Sequence, residues 1–119
     1  MKTSTTTEQS YITRPQEGLA EGEIDLGQVR DSEEERIMSF IVELLQTALI
    51  RGSAEGQSAP SLSSLSVQRS GGALAGRIYG QAYTEKRGDT VAFLRIKLIN
   101  EEGEVVMTGM ATSHLAKQA

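Results

Sequence analysis

The chain has 119 residues, enough for one domain, with 16 acidic and 12 basic residues. The net charge of -4 and an aromatic content of 4% give no reason to expect a nucleic-acid partner, either electrostatically or through base stacking. With no cysteine, disulfides, zinc–thiolate sites and thiol nucleophiles are excluded, and a single histidine, His114, leaves no basis for a histidine metal centre.

No apolar run is long enough to span a bilayer, and Met1 to Ser10 is polar and Thr-rich rather than basic-then-apolar. The reading is a cytoplasmic protein without a membrane partner. Met1 to Gly18 has few large apolar residues and is interrupted by Pro15, so it reads as a flexible tail ahead of one domain over residues 19–119. Gly22 to Val29 alternates polar and apolar residues, which places Ile24 and Leu26 on one face of a short strand.

A helix follows. Ser32-Glu33-Glu34-Glu35 fits a capping box, and the glutamates suit the positive end of the helix dipole. These roles account for Glu33, Glu34 and Glu35 better than a metal cluster does. Ile37 to Ile50 is apolar around most of its circumference, so most of this helix must be covered, and Arg51-Gly52 reads as its C-terminal cap. Gly52 to Pro60 is a Gly/Ser/Ala linker.

The back half reads as strands. Leu62 to Gln68 is one, and Arg69 to Gly72 turns the chain. Leu74 to Thr84, Thr90 to Ile99 and Val105 to Leu115 are three longer strands. They are joined by Lys86-Arg87-Gly88-Asp89, with Gly at a position of positive φ, and by Glu101-Glu102-Gly103-Glu104. Ala92, Leu94, Ile96 and Leu98 form one apolar row. A two-residue turn at Glu102-Gly103 sets Leu98 beside Met107, Ile96 beside Gly109 and Leu94 beside Ala111, with the small residues leaving room for a helix. A bulge at Gly103 would shift that register.

Strand, buried helix, linker and antiparallel strands make an α+β order. Gly76-Arg77-Ile78-Tyr79-Gly80-Gln81-Ala82, the basic-Gly turn, Val91 to Leu98, the acidic-Gly turn and Gly109-Met110-Ala111-Thr112 together resemble the acyl-CoA thioesterases of the phenylacetate-pathway type. That resemblance implies a hotdog fold, an antiparallel sheet wrapped around one central helix. It covers Gly71 to Leu115 closely and the helix more loosely. The His-Gly-Gly motif that such thioesterases often carry at the helix start is absent, and Glu33-Glu34-Glu35-Arg36 stands there instead. Carboxylates at that place would repel a developing oxyanion.

The resemblance implies an acyl-CoA ligand, with coenzyme A entering only as part of the substrate and no cofactor. Glu43 falls near the family's catalytic acid, and burial in an apolar helix would make it a useful base. Arg36, Ser39, Glu43, Gln46 and Thr47 also form one polar stripe, which water alone would explain. Arg69, Arg77, Lys86 and Arg87 are candidates for the coenzyme A phosphates, although charge at turns and strand edges also discourages edge pairing. Arg87-Gly88-Asp89 is a turn, not an adhesion signal. Ser63, Ser64, Ser66 and Ser70 show no His or acidic partner in sequence, and His114 reads as a surface or interface residue.

Val91, Phe93 and Ile99 are left uncovered by one helix on one sheet, which points to a homodimer joined edge to edge, or a dimer of dimers (a homotetramer). The function expected is a thioesterase-like protein hydrolysing or binding an acyl-CoA. The alternative is a non-catalytic hotdog protein for ligand binding or assembly. An unrelated structural domain is a third class.

Overall fold

The structure is a computed structural model that describes residues 10–27, 33–50 and 61–114. Its elements in chain order are β1 (Ser10–Gln16), β2 (Leu19–Asp25), α1 (Glu33–Leu49), β3 (Ser64–Arg69), β4 (Arg77–Arg87), β5 (Val91–Ile99) and β6 (Val105–His114). The expected helix caps at Ser32 and at Arg51-Gly52, and the linker at 52–60, lie outside the described residues.

The strands form one six-stranded sheet in the order β1-β2-β4-β5-β6-β3, antiparallel throughout. Period-two patterning decides its faces. Along β5, Ala92, Leu94, Ile96 and Leu98 are buried, while Phe93, Arg95 and Lys97 point out. The register against β6 is the expected one, with Leu94 opposite Ala111, Ile96 opposite Gly109 and Leu98 opposite Met107. The turn itself is longer than the expected two residues: Ile99 pairs with Val105 and Asn100 N–H donates to Glu104 O at 3.0 Å, leaving Glu101 to Gly103 as the loop, and one extra residue on β6, Val106, restores the register beyond it.

One face of the sheet carries the helix. Ile37, Phe40, Ile41, Leu44, Leu45 and Leu49 of α1 are buried against Ile24, Ile78, Leu94 and Leu98. Each such side chain contributes about 1.5–3 kcal/mol by leaving water. The helix packs chiefly on β2 and β4, less on β5 and β1. On the same face beyond it, Leu65, Val67 and Met107 are only partly buried.

Gly80 on β4 lets the helix approach, since a Cβ there would stand 2.6 Å from Leu44 Cδ1; opposite it on β2, a Cβ on Gly22 would meet Tyr11 O at 2.6 Å before Phe40 Cε1 at 3.2 Å, so Gly22 fits β1 first and the helix second. The room expected from Gly109 and Ala111 serves another purpose. A Cβ on Gly109 would meet Ser66 O at 2.9 Å and Ile96 at 3.1 Å, so this glycine fits β3 to β6, not the helix to the sheet.

Two local expectations are corrected. Residues 10–18 are not tail: Ser10 to Gln16 pair with β2, and Ile12 packs against the core. Residues 1–9 lie outside the described residues. Pro15 falls at a register shift on this edge strand, where its missing N–H breaks no ladder. The turn after β4 also begins later than expected, because Lys86 and Arg87 still pair with β5. Gly88 closes that turn by donating to Val91 O at 2.8 Å without a positive φ. Among the described residues the left-handed glycines are Gly18, Gly27, Gly76 and Gly103.

Candidate functional site

The helix presents its polar stripe to solvent. Ser39 and Glu43 are exposed, and Arg36, Gln46 and Thr47 half-buried. Arg36 and Glu43 are seven residues apart and so lie on nearly one line along the helix. Arg36 Nη2 donates to Asp25 O at 2.9 Å, at the end of β2, so this line runs along the β2 side of α1. The Glu43 carbonyl accepts the Thr47 hydroxyl at 2.7 Å. Its carboxylate has no ion-pair or hydrogen-bond partner among the described residues. Glu43 is exposed on this stripe.

The three arginines are not brought together. Arg77 and Arg87 sit at opposite ends of β4, roughly 33 Å apart at strand rise. Arg77 lies on the outer face beside carboxylates, 3.6 Å from Glu23 and 4.0 Å from Asp25. Arg87 turns to the helix and donates to Leu49 O at 3.3 Å. Arg69 ends the edge strand β3, exposed, with one long contact to Gly72 O at 3.5 Å. A single phosphate cluster cannot span all three.

Arg87 belongs to a different constellation, one that sequence reasoning missed. The last turn of α1 carries no basic residue. Strands supply the donors instead: Thr84 Oγ1 to Ala48 O at 3.0 Å, Arg87 to Leu49 O, and Arg14 Nη1 to Ile50 O at 2.8 Å. Three carbonyls that a helix leaves without partners are thereby satisfied, two of them by cations at the negative end of its dipole. Nothing local in sequence signals this, because the donors come from β1 and β4.

Ser63 does have a histidine partner. Its Oγ lies 2.9 Å from His114 Nδ1 and accepts the His114 backbone N–H at 3.1 Å. Beside it Ser64 Oγ meets Thr112 Oγ1 at 2.7 Å, and the buried Ser113 hydroxyl donates to Ser61 O at 2.5 Å. The sequence separates Ser63 from His114 by 51 residues, and only the β3–β6 pairing joins them. No carboxylate is bonded to this imidazole among the described residues, so the pair lacks the orienting group of a nucleophile system. Its hydrogen bonds close the end of the β3–β6 ladder.

Among the described residues, the outer face of the sheet has shallow depressions. One of about 360 Å³ is lined by Glu21, Tyr79, Gln81 and Lys97, and one of about 480 Å³ by Phe93, Arg95, Met110 and Thr112. Neither includes Glu43 or the three candidate arginines. On this face Arg95 Nε donates to Glu85 Oε1 at 2.8 Å, which holds the guanidinium above its ordinary pKa.

No protein-family model and no curated protein matches the sequence. Solved structures do match in three dimensions. The PaaI protein of E. coli, from the phenylacetic acid degradation operon, is 16% identical with a TM-score of 0.72, over 89% of this chain and 82% of its own. Zebrafish thioesterase superfamily member 2 is 17% identical with a TM-score of 0.74, over 93% and 84%. A hypothetical thioesterase from Streptococcus pneumoniae is 12% identical with a TM-score of 0.75, over 93% of each chain. One helix wrapped by a six-stranded antiparallel sheet, shared over nearly the whole of these chains, shows that this protein has the hotdog fold.

Proposed function

We propose that this chain is a thioesterase-like hotdog protein that hydrolyses or binds an acyl-CoA, working as a homodimer in the cytoplasm. The observation that carries the reading is the likeness to two thioesterases over four-fifths or more of their length, with the helix seated on the sheet over Gly80.

In hydrolysis, water attacks the thioester carbonyl and gives its proton to the Glu43 carboxylate. Backbone amides at a helix N-terminus hold the oxyanion. Collapse expels the coenzyme A thiolate, which takes the proton back. Glu43 lies ten residues from Glu33, roughly 15 Å along the helix. One carbonyl therefore meets the carboxylate of one copy and the amides of another, and a homodimer completes the site. The edge strand β3, with Leu65 and Val67 half-covered, is the place to join two sheets. Arg69 at its end is the candidate for a coenzyme A phosphate, because Arg77 is held by carboxylates and Arg87 by the helix.

The alternative is binding without catalysis, in a chain whose Glu43 is exposed and whose sequence has no His-Gly-Gly at the helix start. Thiol release from a panel of acyl-CoAs separates the two. Turnover by the wild type that is lost in Glu43→Gln, with the fold retained, supports hydrolysis. Saturable coenzyme A binding without turnover supports the alternative, and no binding at all ends the acyl-CoA reading.

A further inference from the structure

Strand β4 carries an extra residue against β5. Thr84 pairs with Leu94 and Lys86 with Phe93, so Glu85 forms a β-bulge. Strict alternation along the strand would turn Lys86 towards the helix. The bulge turns it outward instead. Thr84 and Arg87 both bond the end of the helix, while Glu85 and Lys86 between them are both exposed on the outer face. A bulge re-aims side chains, and this one brings a carboxylate and an ammonium group to the depression of about 480 Å³.

That depression has an apolar slot. Phe93 and Met110, 43% and 52% exposed, form its walls. Phe93 pairs with Thr112 and Met110 with Arg95, so the two walls are diagonal neighbours on β5 and β6, roughly 7 Å apart. This is about twice the contact distance between carbon atoms, so one planar ring fits between them and a thicker body does not.

Donors outnumber acceptors around the slot. Arg95 gives its Nε to Glu85 Oε1 at 2.8 Å, and its two Nη groups have no partner among the described residues. Lys86 has none either. Two cations against one carboxylate make this a positive spot on a chain of net charge -4. At the other end of the slot Ser64 and Thr112 share one hydrogen bond of 2.7 Å, which leaves one of their two hydroxyl protons for a ligand.

We infer that this depression binds a small planar aromatic carboxylate, with its ring between Phe93 and Met110 and its carboxylate on Arg95 Nη and Lys86 Nζ. Charge-assisted bonds fix the head, and the slot selects the flat body. The site lies on the opposite face from the helix and Glu43, and it does not rest on the thioester reading.

The test is isothermal titration calorimetry on the full chain with three probes of one carbon skeleton. These are naphthoate, its neutral amide, and decahydronaphthoate, which keeps the charge without the flat ring. Naphthoate is expected to bind with Kd below about 1 mM, and the other two at least about fivefold more weakly. Lys86→Gln should weaken naphthoate roughly two- to fivefold and leave the amide unchanged. Phe93→Ala should weaken naphthoate and amide alike. Lys97→Gln, in the neighbouring depression, should change neither, and circular dichroism confirms the fold of each variant. Absence of saturable naphthoate binding to the wild type would overturn the inference. So would equal affinity for acid and amide, or for the flat and the saturated acid. A loss in Lys97→Gln as large as in Lys86→Gln would also sink it, since it would mean a diffuse attraction to surface cations.

Discussion

Gly80 lies directly beneath Leu44: a Cβ placed on the glycine would come within 2.6 Å of Leu44 Cδ1 and 2.7 Å of Leu98 Cδ2. The helix therefore rests closer to β4 than any side chain at this position permits. Gly80→Ala is expected to destabilise the fold by about 1–3 kcal/mol through overpacking, even though alanine suits a strand better than glycine. Gly71→Ala, where nothing lies within 4 Å, is the control and should stay within about 0.5 kcal/mol of wild type. Urea unfolding of both variants gives the comparison.

The β5–β6 turn hangs on a buried side chain. Asn100 Oδ1 accepts the backbone N–H groups of Glu102 and Glu104, both at 3.0 Å, and its Nδ2 donates to Ala73 O and to Glu104 Oε1. Asn100→Ala removes all four bonds from a residue that is 2% exposed. A loss of about 2–4 kcal/mol is expected, because four hydrogen bonds that hold the turn are lost at once. Thermal melting should show a fall of roughly 10 °C or more.

Gly103 completes the same turn with φ of +83°. Nothing lies within 4 Å of its missing side chain, so conformation alone sets the cost of filling it. Gly103→Ala should lose about 1–2 kcal/mol and Gly103→Asn less, since asparagine enters the left-handed region more readily. If alanine and asparagine proved equal in a denaturant titration, backbone conformation would not be the cause.

The cap on α1 predicts a localised effect. Arg87→Ala and Arg14→Ala should each cost about 0.5–1.5 kcal/mol by freeing a helix-end carbonyl from its cation. Hydrogen exchange should quicken in the last turn of α1 and in the strand that lost its contact, while β5 and β6 keep their protection. Loss of protection spread evenly over the sheet would contradict the cap.

Much of this fold was legible because its strands carry explicit chemistry. Ala92 to Leu98 alternate without a break, and the three cross-strand pairs expected against β6 are present, although the loop is one residue longer than the two expected and the extra residue Val106 makes up the difference. Strand β1 was not legible. Pro15 interrupts it, Tyr11 points out, and Ile12 is its one aliphatic residue and packs inward, so periodicity has almost nothing to count. The candidate site fared worse for a related reason. Spacing along a strand says how far apart Arg77 and Arg87 stand, but which backbone or carboxylate each one meets is a matter of tertiary packing. The same holds for Ser63 and His114, which a sheet order with β3 outside β6 brings together.

The bond from Arg14 to the carbonyl of Ile50 has a practical consequence for anyone trimming this protein. A version begun at residue 19 would lose more than an edge strand. It would strip the ladder partner from β2, leaving its amides open to pairing with any extended chain nearby, and would unlatch the end of the helix in the same cut. Such a fragment would be prone to ribbon-like aggregation through β2, so expression of the domain should keep everything from residue 10 onward.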